Sequence, residues 1–207
     1  FIGTGSNGMA IDDFGVNQID FAKEGFIGGS YISAGTFNGQ PIRSMRLPPG
    51  TPSWGGEWKK SIKQWYSRSM SIGSHGTCMS YQNNYLDLDP VYKDRHGRPL
   101  LRMTFNWHPN DIRMTQFMKV KMEEIARSMN PDIMQSSFKN MGAQYDVRPY
   151  QTTHNVGGAI MGSDPSNSAL NRYLQAWRQH NVFVMGAGAF PQNTEYNPTG
   201  MVGALAY

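Results

Sequence analysis

Charge is scarce in this sequence: Asp, Glu, Lys and Arg make up 16% of its 207 residues, where about a quarter is usual. That balance suits an extracytoplasmic or partner-covered protein better than a highly charged cytosolic one. The formal net charge of +4 comes from no single basic cluster. Its densest group, Lys59, Lys60, Lys63 and Arg68, reads as the solvated face of a helix, so nucleic-acid binding is rejected. Cys78 is the only cysteine, which excludes an intrachain disulfide and a thiolate-based metal site. No two histidines have metal-ligand spacing, and no metal is expected. The pairs Asp12-Asp13 and Glu123-Glu124 point to different faces and do not make a glycosidase dyad. No run of about 18 apolar residues is present, nor any repeat, coiled coil or low-complexity tract. No signal peptide is visible, although a chain that opens on Phe1 without an initiator Met cannot show one.

The sequence is instead rich in loop formers, with 23 Gly and 12 Pro. Gly3-Thr-Gly-Ser-Asn-Gly8 has the letters of the dinucleotide fingerprint but lacks its context: no hydrophobic strand precedes it and no helical stripe follows. Gly25 to Ile32 reads as a strand with close backbone approaches, and Leu47 to Gly56 as a loop. A helix is expected over Glu57 to Met70, with Trp58, Ile62, Trp65 and Tyr66 as its core-facing stripe. Asn84 to Trp107 alternates, breaks at Lys93-Asp-Arg-His-Gly-Arg-Pro99 and alternates again, which predicts a β-hairpin. The clearest helix starts at Pro109, with Asn110 as N-cap and Asp111 in the first turn. Its apolar face is Met114, Phe117, Met118, Ile125 and Met129, and Asn130-Pro131 ends it. A turn at Asp164, a buried strand over Asn181 to Gly188 and a helix from Pro198 to Tyr207 complete the chain. The assembly expected is α+β: an antiparallel sheet with helices on one face, closed by a glycine-rich strand-loop-helix.

Two stretches carry the chemistry. In Tyr150-Gln-Thr-Thr-His-Asn-Val-Gly-Gly158, His154 sits where a polar run breaks into glycines, so a ligand can approach its ring. In Asn193-Thr-Glu-Tyr-Asn-Pro-Thr-Gly200, Asn197 precedes Pro198 and is the last residue before the helix. A neutral imidazole can take the proton of an alcohol while the hydride leaves, and an amide can hold the hydroxyl in line. Each residue also has a plain structural reading, as a satisfied histidine and as a helix cap. His108, before Pro109, is mainly structural, with a second reading on the substrate side of the pocket. His75 has no partner in sequence.

Thr153 to Asp164, Asn181 to Asn193 and Tyr196 to Ala206 resemble the C-terminal signature of the glucose-methanol-choline (GMC) oxidoreductases. Within that family they are most similar to the large flavoprotein subunits of bacterial membrane-associated sugar and sugar-acid dehydrogenases. Pro52-Ser-Trp-Gly55, Asn84 to Pro90, Lys93 to Gly97 and His108 to Asp111 resemble the substrate-domain segments of the same group. The resemblance implies FAD as cofactor, His154 as proton acceptor and Asn197 as the residue orienting substrate. It implies backbone contacts to the flavin from Ala187, Gly188, Pro198, Thr199 and Gly200, with Asn155, Gln192 and His108 near the substrate. Several relatives carry an acidic residue where this chain has Gly186, which leaves only backbone contact there. Residues 1–149 would be a substrate-binding domain and 150–207 the returning part of an FAD-binding domain, with the N-terminal dinucleotide-binding half outside this chain. Implied partners are a multihaem cytochrome c subunit and a small exported subunit on the periplasmic side of the bacterial inner membrane. An oxygen-using oxidase and a non-catalytic carbohydrate-binding module are the alternatives.

Overall fold

A computed structural model describes residues 7–35, 47–66, 68–149 and 152–207; four of the five residues before Gly8 in the fingerprint-like stretch, with Phe1 and Ile2 ahead of it, lie outside them. Strand β1 (Asn7–Ile11) pairs antiparallel with β2 (Ser30–Gly35), which pairs antiparallel with β3 (Ser71–Gly76). Between β1 and β2 lies a single helical turn, α1 (Phe21–Glu24), capped by the Asp20 side chain and closed by Gly25 at φ 73°. The strand expected from Gly25 therefore starts at Ser30, because Gly25 ends a helix. Helix α2 (Gly55–Trp65) follows. Its stripe of Trp58, Ile62, Trp65 and Tyr66 is half-buried, not core, and the helix stops short of Met70 because the chain must extend into β3.

The hairpin forms as expected from β4 (Tyr85–Lys93) and β5 (Pro99–Thr104), which make a separate two-stranded sheet. Helix α3 (Pro109–Ser128) then packs its Met114 and Met118 against Phe26 and Ile32, with Phe117 and Ile125 at the margin. Met129 lies outside that face, at the C-cap and exposed. The N-cap is His108, whose N–H donates to Asp111 Oδ2 at 3.2 Å. Asn110 is needed elsewhere: its Oδ1 accepts from Ile27 N (2.7 Å) and its Nδ2 donates to Ile27 O (2.8 Å), tying α3 to the turn before β2.

A second core gathers Leu170, Leu174 and Ala189, with Met161, Val184 and Leu205 around it. Here β6 (Gln175–Ala176) and β7 (Gln179–Phe183) form a short antiparallel pair. The strand expected as buried over Asn181 to Gly188 is exposed throughout β7, since Val182 and Phe183 find no cover among the described residues. After a 3₁₀ turn at Ala187–Ala189, α4 (Thr199–Ala206) ends the chain. Among the described residues helices and antiparallel sheets are thus both present, the strands falling into three sheets with α3 on one face of the first.

Candidate active site

Strand alternation decides what the first sheet presents on each side. Ser30 and Ile32 are buried on the α3 side. Tyr31, Ser33 and Gly35 face the other way, opposite His75, Gly73 and Ser71 in register. Because most of these residues are small, the open face holds a cleft of 520 Å³, lined by Gly8, Ala10, Tyr31, Ser33, Gly73 and His75 among others.

His75 is fixed at the rim. The Tyr31 hydroxyl lies 3.0 Å from its Nδ1, and the two rings meet edge-on at 5.1 Å. The other side of Tyr31 stacks on Tyr196 at 5.6 Å and 7°. The Tyr196 hydroxyl donates to Asp12, which pushes that phenol up to about 12. His154 completes the row: its ring stands edge-on to His75, 5.4 Å away at 82°. The sequence reading gave His75 no partner, because its partners lie on β2 and beyond residue 150. The backbone of His154 is held as well, by Thr152 Oγ1 accepting from its N–H (3.0 Å) and by Asn193 Nδ2 donating to its carbonyl (3.5 Å).

Desolvation and, after it, the neighbouring His154 hold the His75 imidazole below its ordinary 6.5. The unfolded chain then binds this proton at a higher pH than the folded one, so folded-state stability contributed here is lost as pH falls below about 6.5. Imidazole titration by ¹⁵N NMR is expected to place His75 below 6.5. His154→Gln is expected to raise that midpoint without bringing it to 6.5, since burial persists; an unmoved midpoint would show that the two rings do not interact.

Asn197 follows Tyr196 directly and is exposed. It makes no hydrogen bond among the described residues; the ring row and Asn193 connect its segment to that of His154. Pro198 takes the N-cap of α4, one residue earlier in role than expected. The first intrahelical bond runs from Val202 N to Pro198 O (3.0 Å), so the N–H groups of Thr199, Gly200 and Met201 are left without a helix partner. At the 3₁₀ turn, the carbonyls of Ala187 and Gly188 accept from Gly157 N (3.0 Å) and Ala159 N (3.1 Å). Their own N–H groups meet no acceptor among the described residues. Gly186, at φ 98°, has open space where a Cβ would stand. Asn155 and Gln192 are exposed. His108 is stacked on Tyr81 at 3.6 Å, and it does not line the cleft.

Glu195 was not singled out by sequence, yet it is among the few buried charged residues, at 4% exposure. Its signal was available: it is the only charged residue between Asn181 and Tyr207.

Residues 80–206 match the C-terminal family model described as GMC oxidoreductase. Over all 207 residues the chain is 51% identical to the gluconate 2-dehydrogenase flavoprotein of Pantoea cypripedii, covering 100% of this chain and 34% of that protein. It is 26% identical over 185 residues to the 2-methyl-1,2-propanediol dehydrogenase of Mycolicibacterium austroafricanum, covering 89% and 32%. It is 24% identical over 149 residues to the fructose dehydrogenase large subunit of Gluconobacter japonicus, covering 71% and 25%. The chain therefore spans a third or less of the length of these curated relatives, to within a percentage point.

Proposed function

From the premise that this chain belongs to the GMC oxidoreductase family, we propose that it is the substrate-side and C-terminal portion of an FAD-dependent dehydrogenase of a sugar acid, gluconate first. The reading is supported by identity along the whole chain to a gluconate 2-dehydrogenase flavoprotein. The geometric observation that carries it is the contact of His154 with His75, a residue of the cleft. GMC oxidoreductases are flavoproteins, and the residues present fit that group. Free amides at Ala187 and Gly188 and at the start of α4, with the bare Gly186 beside them, offer donors and room to a ring system with acceptor atoms. Bound there, the flavin supplies the hydride acceptor.

The protein residues divide the remaining work. His154 accepts the hydroxyl proton, because the bare ring nitrogen of a neutral imidazole carries a lone pair that can take it as the hydride leaves. Asn197 holds the hydroxyl oxygen so that the carbinol C–H is aligned. The glycine and serine floor of the cleft admits a polyol without displacing bulky side chains. Residues 1–149 form the substrate-binding part and residues 150–207 belong to the FAD-binding part. Electrons pass on to a cytochrome c or quinone partner, with a small exported subunit, on the periplasmic side of the inner membrane.

The test is anaerobic addition of gluconate, glucose, fructose and sorbitol in turn to the full-length protein while the visible flavin band is followed. Gluconate is expected to bleach the band, and aerobic turnover to yield no peroxide. Peroxide formation would make the enzyme an oxidase. Absence of a flavin band would leave a carbohydrate-binding module in its place.

A further inference from the structure

We propose that Glu195 is a positioning residue, a buried carboxylate that locks the loop carrying Asn197 onto the end of β3; this rests on the roles given above to Asn197 and His154. Glu195 Oε1 accepts from Val16 N at 3.1 Å, and Oε2 accepts from Thr77 Oγ1 at 3.3 Å. No Lys, Arg or His pairs with it among the described residues. A carboxylate taken out of water is costly unless its oxygens are satisfied, and here both are satisfied by groups far away in sequence.

Those groups belong to one knot. Thr77 follows β3 directly; its N–H donates to Gly29 O (2.9 Å) and its Oγ1 accepts from Gly29 N (3.1 Å). Val16 reaches the carboxylate because Gly29 lets the Val16 backbone come close. On the loop itself, Asn193 exchanges both backbone hydrogen bonds with Cys78 at 3.1 Å and also holds the His154 carbonyl. Tyr196 stacks on Tyr31. Glu195 thus sits between the anchor that serves His154 and the ring that precedes Asn197. It sets the register of the Tyr196–Asn197 segment against the cleft.

The experiment uses the full-length, FAD-loaded enzyme and gluconate. Glu195→Gln keeps an oxygen for Val16 and can donate from its amide to Thr77 Oγ1; Glu195→Asp, one methylene shorter, cannot span both. With flavin absorbance confirming a loaded fold, Glu195→Asp is expected to slow flavin reduction by about 10-fold, and Glu195→Gln by less than about 3-fold. In an Asn197→Ala background, Glu195→Asp is expected to cost less than about 2-fold, because the group it positions is gone. Equal losses in both backgrounds would reduce Glu195 to a stability element, and a larger loss for Gln than for Asp would make its charge, not its reach, the operative property. Either result overturns the proposal. His154→Ala and Asn197→Ala, assayed alone, separate the two levels: full activity in both removes the site reading itself, whereas losses there beside an additive Glu195 cycle remove only the positioning role.

Discussion

Replacing His154 by alanine in the full-length enzyme is expected to lower turnover of gluconate by about 10²- to 10⁴-fold, the usual contribution of a positioned general base, with FAD still bound. The residue has the chemistry for this loss and few structural duties to confuse it. Its side chain meets the protein through an edge contact with His75, while its backbone is held by Thr152 and Asn193 and survives truncation. Rapid-mixing measurement of flavin reduction separates the outcomes. A slowed reductive phase at saturating gluconate, with an unchanged flavin spectrum, is the result expected of a lost proton acceptor. Unchanged reduction would remove His154 from the reaction.

Gly29→Ala is expected to have the largest effect on stability, a loss of about 3 kcal/mol or more, as for side chains forced into filled space. A Cβ built at Gly29 would lie 2.1 Å from Val16 N and 2.5 Å from Gly15 C, both backbone atoms that no rotamer change can move. The clash falls on the turn whose Val16 offers its N–H to Glu195, so the site and the fold should fail together. A fall in the urea midpoint of the full-length protein checks this. A midpoint equal to that of the unsubstituted protein would mean that the 15–16 segment does not press on Gly29.

Local pattern explains what was legible. The β4–β5 hairpin and α3 announce themselves by periods of two and of three to four, with turn residues and Pro109 marking the ends. Contacts across long separations were out of reach. Asn110 has the right chemistry for an N-cap, but its amide serves Ile27, 83 positions away, and His108 takes the cap instead. His75 gains meaning only once β3 is paired with β2 and Tyr31 comes opposite it. Strand β7 reads as buried because Val-Phe-Val-Met is apolar, and hydrophobicity alone does not say whether a covering surface lies within the same stretch of chain. His154 and Asn197 could be named from composition and neighbours, but not the row of rings that connects their segments.

The floor of the cleft has a bearing on how such enzymes diverge. Gly73 lies in the middle of β3, in ordinary extended backbone, and a Cβ there would meet nothing within 4 Å. Its neighbour across the register, Ser33, points into the same space. Side chains can therefore be lengthened at this spot without touching the core on the sheet's opposite side. The chamber can shrink by single genetic steps while the His75–His154 ring pair and its supports stay where they are. Substrate size is on this account a separable trait, free to drift among descendants that share one reaction.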